Sequence, residues 1–200
     1  MAVTTQFGVP DANGAHATLM PKLQYRFRVT FSNLGLSTGA NTNTTTQNVI
    51  SVGRPSLTHE EVIIDSYNSK TYLAGKHTWE PITLVMRDDM NSHVIKAIGN
   101  QLQEQLDHTS QGAVAHDQKH AGNVYKFNMT IETLDGTAKA DPYDTWELVG
   151  CYLSNVQYGD LNYGTSDLVQ VTATIRYDNA SNTITGAQTE ADTLSKAAPE

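Results

Sequence analysis

Residues 79–107 read WEPITLVMRDDMNSHVIKAIGNQLQEQLD, and within them the hydrophobic period changes. From Trp79 to Met86 apolar and polar residues alternate as on a half-buried strand, whereas Val94, Ile95, Ile98, Leu102 and Leu106 make one stripe at helical spacing. Asp88, Asp89 and Asn91 are residue types that cap a helix or sit at the positive end of its dipole. The helix is therefore expected to open there and to end near Asp107. Nearly every other patterned segment has the period of a strand. An all-β body with one flanking α-helix follows, which argues against scaffolds built on βαβ repeats.

Upstream, Leu23, Tyr25, Phe27, Val29 and Phe31 alternate with Gln24, Arg26, Arg28 and Thr30, the signature of a strand with one buried face. Residues 34–48 are rich in Thr, Asn and Gly and read as a long surface loop. Val49–Val52 is a short strand. Residues 56–73 then have strand propensity but blurred alternation around Val62, Ile63 and Ile64, with a turn at 67–70, so a long projecting hairpin is expected. Downstream, residues 107–123 are a polar loop, and Tyr125, Phe127, Met129 and Ile131 mark another strand before a turn at Asp135-Gly136. Trp146–Leu153 is a strand with Gly150 as a candidate bulge, and Val169 to Tyr177 is the last strand. One domain over 1–200 is expected, with an ordered body of about 20–180 and loose arms at 1–20 and 181–200.

The chain carries 13 basic and 21 acidic side chains, a net of −8, which offers no electrostatic grip on a phosphate backbone. A single cysteine, Cys151, excludes an intrachain disulfide and points to a reducing compartment. No segment approaches the roughly 20 apolar residues of a membrane span, and no secretory leader is legible, so a soluble product is expected.

Candidate chemistry is thin. His116 and His120 have i, i+4 spacing with His108 nearby, but their segment carries too many helix breakers to present them as ligands. His59-Glu60-Glu61 lacks the second histidine of a zinc-protease motif and reads as a solvent-facing strand. Asp88-Asp89 read as helix-end residues rather than an acid/base pair. Cys151 sits inside a strand among Leu148, Val149, Tyr152 and Leu153, where a small core residue is expected rather than a nucleophile. Gly159 and Gly164 read as turns and not as a phosphate loop, and Trp79 and Trp146 as core anchors rather than sugar platforms. No enzyme, cofactor or metal is expected. Long polar loops, a projecting hairpin and loose termini suit a subunit whose partners order its extensions.

Val52-Gly53-Arg54-Pro55, the hairpin segment EVIIDSYNSKTYLAGKHTWEPITLVMRDD, the helix IKAIGNQLQEQLD and the stretch WELVGCYLSNVQYGDLNYGTSDLVQVTATIRYDNA together resemble the tail tube protein of contractile-tailed bacteriophages. The resemblance spans roughly residues 20–180 and rests on the ordered series of motifs. It implies two packed antiparallel sheets, close to a small β-barrel, and hexameric rings that stack head to tail into a conduit for DNA ejection. It further implies that the hairpin reaches a neighbouring subunit or ring, which nominates Arg54, Glu60, Glu61, Asp65, Tyr67, Lys70 and Tyr72 as contacts.

The implied partners are other copies of the chain, a contractile sheath, a tape-measure protein, the baseplate and the tail terminator. DNA would pass through the lumen without specific binding. The implied location is the virion tail, assembled in the host cytoplasm. Asp88, Asp89, Glu104 and Asp107 are nominated as the sheath-facing acids, and Gln170 and Thr172 or Asn128 and Thr130 as lumen-lining positions. The alternatives are a tube subunit of a type VI secretion machine or phage-derived injection particle, and a β-sandwich carbohydrate-binding module, which predicts exposed aromatics on a monomer.

Overall fold

The computed structural model describes residues 22–35, 42–109, 125–135 and 141–184. In chain order they form β1 (Phe27–Ser32), α1 (Thr42–Gln47), β2 (Val49–Val52), β3 (Leu57–Ser66), β4 (Ser69–Trp79), β5 (Ile82–Arg87), α2 (His93–Gln105), β6 (Phe127–Leu134), β7 (Pro142–Tyr158), β8 (Gln170–Arg176) and β9 (Asn179–Ile184). Seven strands form one antiparallel sheet, six of them along the path β1-β6-β7-β8-β5-β2 and the seventh, β9, paired with β7 off that path, while β3 and β4 form a separate two-stranded sheet.

The 17-residue β7 divides the path into two layers. Its first half pairs with β6 on one side and β9 on the other, and its second half pairs with β8. Alternation supplies the core between the layers: Val29, Phe31, Phe127, Met129, Ile131 and Leu148 from one, and Ile82, Leu84, Met86, Val171, Ala173 and Ile175 from the other. β1 and β2 each have one strand neighbour, so the layers do not close into a barrel. An open groove of about 1190 Å³ lies between these two edges, lined by Arg26, Arg28, Ile50, Val52 and Arg54 among others.

Gly150 sits where β7 changes partners. Its φ of +71° is left-handed, and the register against β6 shifts beside it. The bulge is clasped on all sides. Gly150 N–H donates to Asn128 Oδ1 at 3.2 Å, Asp178 N–H donates to Val149 O at 3.1 Å, and Lys126 Nζ bonds Asp178 Oδ2 at 2.5 Å. The Asp178 carboxylate holds the Lys126 ammonium charged, raising its pKa.

The helix departs from the expected bounds. Ser92 is left-handed, with φ 55°, so α2 starts at His93, and Asp89 caps it from outside by accepting His93 N–H at 2.9 Å. The buried face is Val94, Ala97, Ile98 and Gln101; Ile95 and Leu106, expected in the stripe, are exposed. Gln101 is buried because it is satisfied: it accepts Gly35 N–H at 3.1 Å and donates to Tyr125 O. Gln105 completes the edge of β7 beyond the end of β6, donating to Leu153 O and accepting Leu153 N–H, both at 3.0 Å. A side-chain amide thus stands in for a strand.

Four other expectations are corrected. The 34–48 stretch contains a second helix, α1, which packs on β1 and α2 and buries Thr45, so α2 is not alone. Leu23 and Tyr25 are exposed and precede β1, because Arg26 N–H turns back onto Leu23 O at 3.3 Å. The alternation from Trp79 to Met86 spans two strands broken at Glu80-Pro81, where proline has no N–H to offer a ladder. The body also runs past 180, since β9 pairs with β7 as far as Ile184. The 1–20 arm and the Gly136 half of the predicted turn lie outside the described residues.

A Cβ at position 150 would lie 2.2 Å from Asp178 Oδ2, on a backbone that L side chains disfavour. Gly150→Ala is therefore expected to destabilise the protein by more than about 2 kcal/mol, read as a lower urea midpoint with an unchanged slope.

Candidate assembly surfaces

The β3–β4 hairpin turns at Tyr67-Asn68, with Tyr67 left-handed at φ 39° and Ser69 Oγ donating to Ser66 O at 3.2 Å. Its foot is fixed by an aromatic series. His59 meets His77 at 6.1 Å between ring centroids, His77 meets Trp79 at 6.3 Å, and Trp79 meets Tyr177 at 5.8 Å. Trp79 Nε1 also donates to Asn179 Oδ1 at 3.1 Å, tying the foot to the corner between β8 and β9. Trp79 and Trp146 are both half-buried against the core, as expected.

Beyond that foot every strand position is exposed except the half-buried Gly75. The register sorts the side chains. Val62 faces Leu73 and Ile64 faces Thr71 on one side, while Ile63 faces Tyr72 and Asp65 faces Lys70 on the other. Val62, Ile64 and Leu73 thus share one side with Thr71, Ser66 and Ser69, and the other side mixes apolar and charged groups. The blurred alternation of the sequence is real, but in the isolated chain neither face is covered.

Val62, Ile64 and Leu73 are each about half exposed, at 49%, 48% and 50%. Full burial of such a side chain is worth about 1.5–3 kcal/mol, so covering the remaining halves offers about 2–4 kcal/mol. Isolated two-stranded hairpins are marginal in water, which makes that term decisive for this element.

Six of the seven nominated contacts, Glu60, Glu61, Asp65, Tyr67, Lys70 and Tyr72, lie exposed on this hairpin, and Arg54 is exposed at the lip of the groove between β1 and β2. The nomination took polar and aromatic groups and left out Val62, Ile64 and Leu73, which share one side of the hairpin. Their signal was present in the sequence as an apolar run without a polar partner face.

The nominated sheath-facing acids are less free than expected. Asp88, Asp89, Glu104 and Asp107 are all half-buried. One Asp88 oxygen is buried without a hydrogen-bond partner among the described residues, and Asp107 Oδ1 accepts both Gln103 Nε2 and Thr109 N–H. Asp89 Oδ2 lies 2.5 Å from His93 Nδ1, and these bonds to His93 hold the Asp89 carboxyl below its ordinary pKa.

The lumen candidates fall on the polar outer faces of the two layers. Gln170 and Thr172 face outward on β8; Asn128 and Thr130 face outward on β6, with Asn128 committed to the Gly150 clasp.

Cys151 is fully buried, its Sγ 3.6 Å from Leu148 O, and burial pushes the thiol up to about 12. Such a thiol is protonated and poorly nucleophilic at neutral pH. His59-Glu60-Glu61 is exposed on β3 and His108 is exposed after α2, while His116 and His120 lie outside the described residues. Among the described residues no group of three or more His, Cys, Asp or Glu side chains is placed to hold a metal.

No protein-family model matches the sequence, and no curated protein does. Solved structures do. A chain of the sheath-tube complex of an extracellular contractile injection system, PVC, in the extended state, matches with a TM-score of 0.60 at 14% identity, covering 92% of this chain and 99% of its own. The chain has the tail-tube fold. The tail tube of SPP1 matches with a TM-score of 0.50 at 11% identity, over 82% of this chain and 80% of that one. A chain of the anti-feeding prophage baseplate matches with a TM-score of 0.56 at 17% identity, over 82% and 97%. The tail-tube fold accounts for the two layers, from which the hairpin projects and between whose edges the groove stays open.

Because folding lowers the Asp89 pKa, its stabilising effect is present above the ordinary carboxylate value and is lost as pH falls through the folded one. Asp89→Asn should therefore be less stable than the parent at neutral pH, and the gap should close on acidification below the ordinary carboxylate range. Thermal unfolding at a series of pH values measures this; a gap independent of pH would refute it.

Proposed function

We propose that this chain is a structural tube protomer, whose hexameric rings stack head to tail into the inner tube of a contractile phage tail. The observation that carries the reading is the hairpin, an ordered element with both faces exposed, mounted on a tail-tube fold. Such an element is stable only when neighbours cover it, and every protomer in a repeating assembly has neighbours to do so. The unpaired edges of β1 and β2 support the same reading, since strand edges left open in a monomer become safe when assembly covers them.

In this reading no bond chemistry occurs. Head-to-tail contacts permit open-ended growth, and length is set by another component such as a tape-measure protein. The sheath, baseplate and tail terminator are the remaining partners. The net charge of −8 and the polar outer faces of the layers suit a wall past which DNA slides without sticking.

A second reading keeps the tube and changes the cargo. An injection particle that carries protein is built on the same fold as a phage tail tube, and the likeness to chains of the PVC and anti-feeding prophage assemblies supports this reading alongside the first. Neighbouring genes separate the two: capsid and terminase genes mark a phage, and cargo or chaperone genes an injection system. The carbohydrate-module reading is disfavoured by the placement of the aromatics, since Tyr67 and Tyr72 belong to the hairpin and Tyr163 to a distant loop rather than to one platform.

Negative-stain electron microscopy at rising protein concentration is expected to reveal rings and hollow tubes. Val62→Asp and Ile64→Lys should keep the parent circular dichroism spectrum and yet raise the concentration needed for assembly by at least about tenfold. A parent that remains monomeric at every concentration, even with tube seeds, contradicts the proposal.

A further inference from the structure

The hairpin has a counterpart at the other end of the body. β5 runs from Ile82, close to the hairpin foot, to Arg87, and the next N–H, that of Asp88, donates to Val169 O at 3.0 Å. β8 returns from Gln170 to Arg176, just before the Tyr177 whose ring meets Trp79. The loop 159–169, which joins β7 to β8, therefore stands about 20 Å from the hairpin foot, the length of a six-residue strand.

This loop is folded back on itself. Gly159 N–H donates to Gln170 O at 3.0 Å and Gly164 N–H to Asn162 Oδ1 at 2.8 Å. It frames an open hollow of about 310 Å³ lined by Leu161, Tyr163, Leu168, Val169, Asp160 and Asp167 among others. Leu161 and Tyr163 are 83% and 111% exposed, an apolar display that water does not reward. The stretch 159–169 carries two acids and no Lys or Arg.

The hairpin tip projects where the loop is hollow, and it carries one cation, Lys70, beside one acid, Asp65. Tyr67 projects fully from the turn, and beside it the Lys70 ammonium is only loosely engaged, 3.7 Å from Asp65 with both side chains well exposed. A projecting tip with an aromatic ring and the loose Lys70–Asp65 pair thus lies at one end, and a hollow of mixed lining, with Leu161 and Leu168 beside Asp160 and Asp167, at the other.

We propose that the Tyr67–Lys70 tip of one copy seats in the 159–169 pocket of the next, with Lys70 against Asp160 or Asp167. The two surfaces are different, so the contact is heterologous and leaves a free tip and a free pocket after every addition. Each pocket is completed only by a second copy. This inference rests on the tube reading and names the receiving surface within it.

Cysteine pairing tests it in the full-length chain, because the native Cys151 is buried and silent. Asn68→Cys and Tyr163→Cys alter exposed positions and should fold as the parent does. Copies carrying one or the other, mixed at equal amounts, assembled and mildly oxidised, are expected to give an inter-copy disulfide that neither variant gives alone. The double variant should give a ladder of products. Leu161→Asp, without any cysteine change, should raise the assembly concentration at least about tenfold. Tubes that form without the mixed cross-link, or with Asn68→Cys linking to itself, overturn the docking inference and leave the tube reading intact. No assembly by the parent or any variant overturns both.

Discussion

The architecture depends on one backbone position, where a single strand must serve two layers. β7 is long enough to do so only because Gly150 takes up a left-handed bulge, letting the chain bend between its partnership with β6 and β9 and its partnership with β8. Asp178 sits over the missing side chain, joined to Lys126, and forms the corner at which β8 becomes β9. A bulge in one strand and a corner in its neighbour are thus closed against each other. The core forms between the layers that this bend brings face to face.

From that bend follows what the protomer lacks. β1 and β2 remain edges, and the groove between them is open. α2 covers one more edge by a different device, the amide of Gln105 pairing with Leu153 as a strand would. Gln101 does similar work for Gly35 and Tyr125, so the helix is held by polar bonds at its end as well as by Val94, Ala97 and Ile98. The hairpin receives no such cover. The fold thus satisfies one awkward edge with a half-buried amide while Val62, Ile64 and Leu73 on the hairpin stay half exposed, an arrangement the tube proposal explains by neighbours that cover them.

Much of this was legible in the sequence. Alternation located the strands around Phe31, Leu84, Met129 and Ile175, and Gly150 stood out as the one glycine within a strong strand pattern. A hairpin turn was legible over residues 67–70, and the structure closes it at Tyr67-Asn68, with Ser69 and Lys70 already in β4. What escaped was decided by tertiary contact. Ser92 adopts a left-handed conformation that no propensity announces, which moved the helix start past Asp89. Gln101 is buried because two backbone groups need it, and Thr45 because α1 lies against β1 and α2. The candidate surface was legible as a blurred alternation at Val62, Ile63 and Ile64. Its apolar side was not, since the register across β4 decides which side chains share a face.

The central claim is that the β3–β4 hairpin is held in shape by neighbouring copies. Amide hydrogen exchange over residues 57–79, compared between dissociated protomer and assembled material, tests it most directly. The account predicts fast exchange in the protomer and strong protection on assembly, with β6 and β8 protected in both states. Equal protection of the hairpin in the two states, or a hairpin that stays unprotected in assembled material, would contradict it.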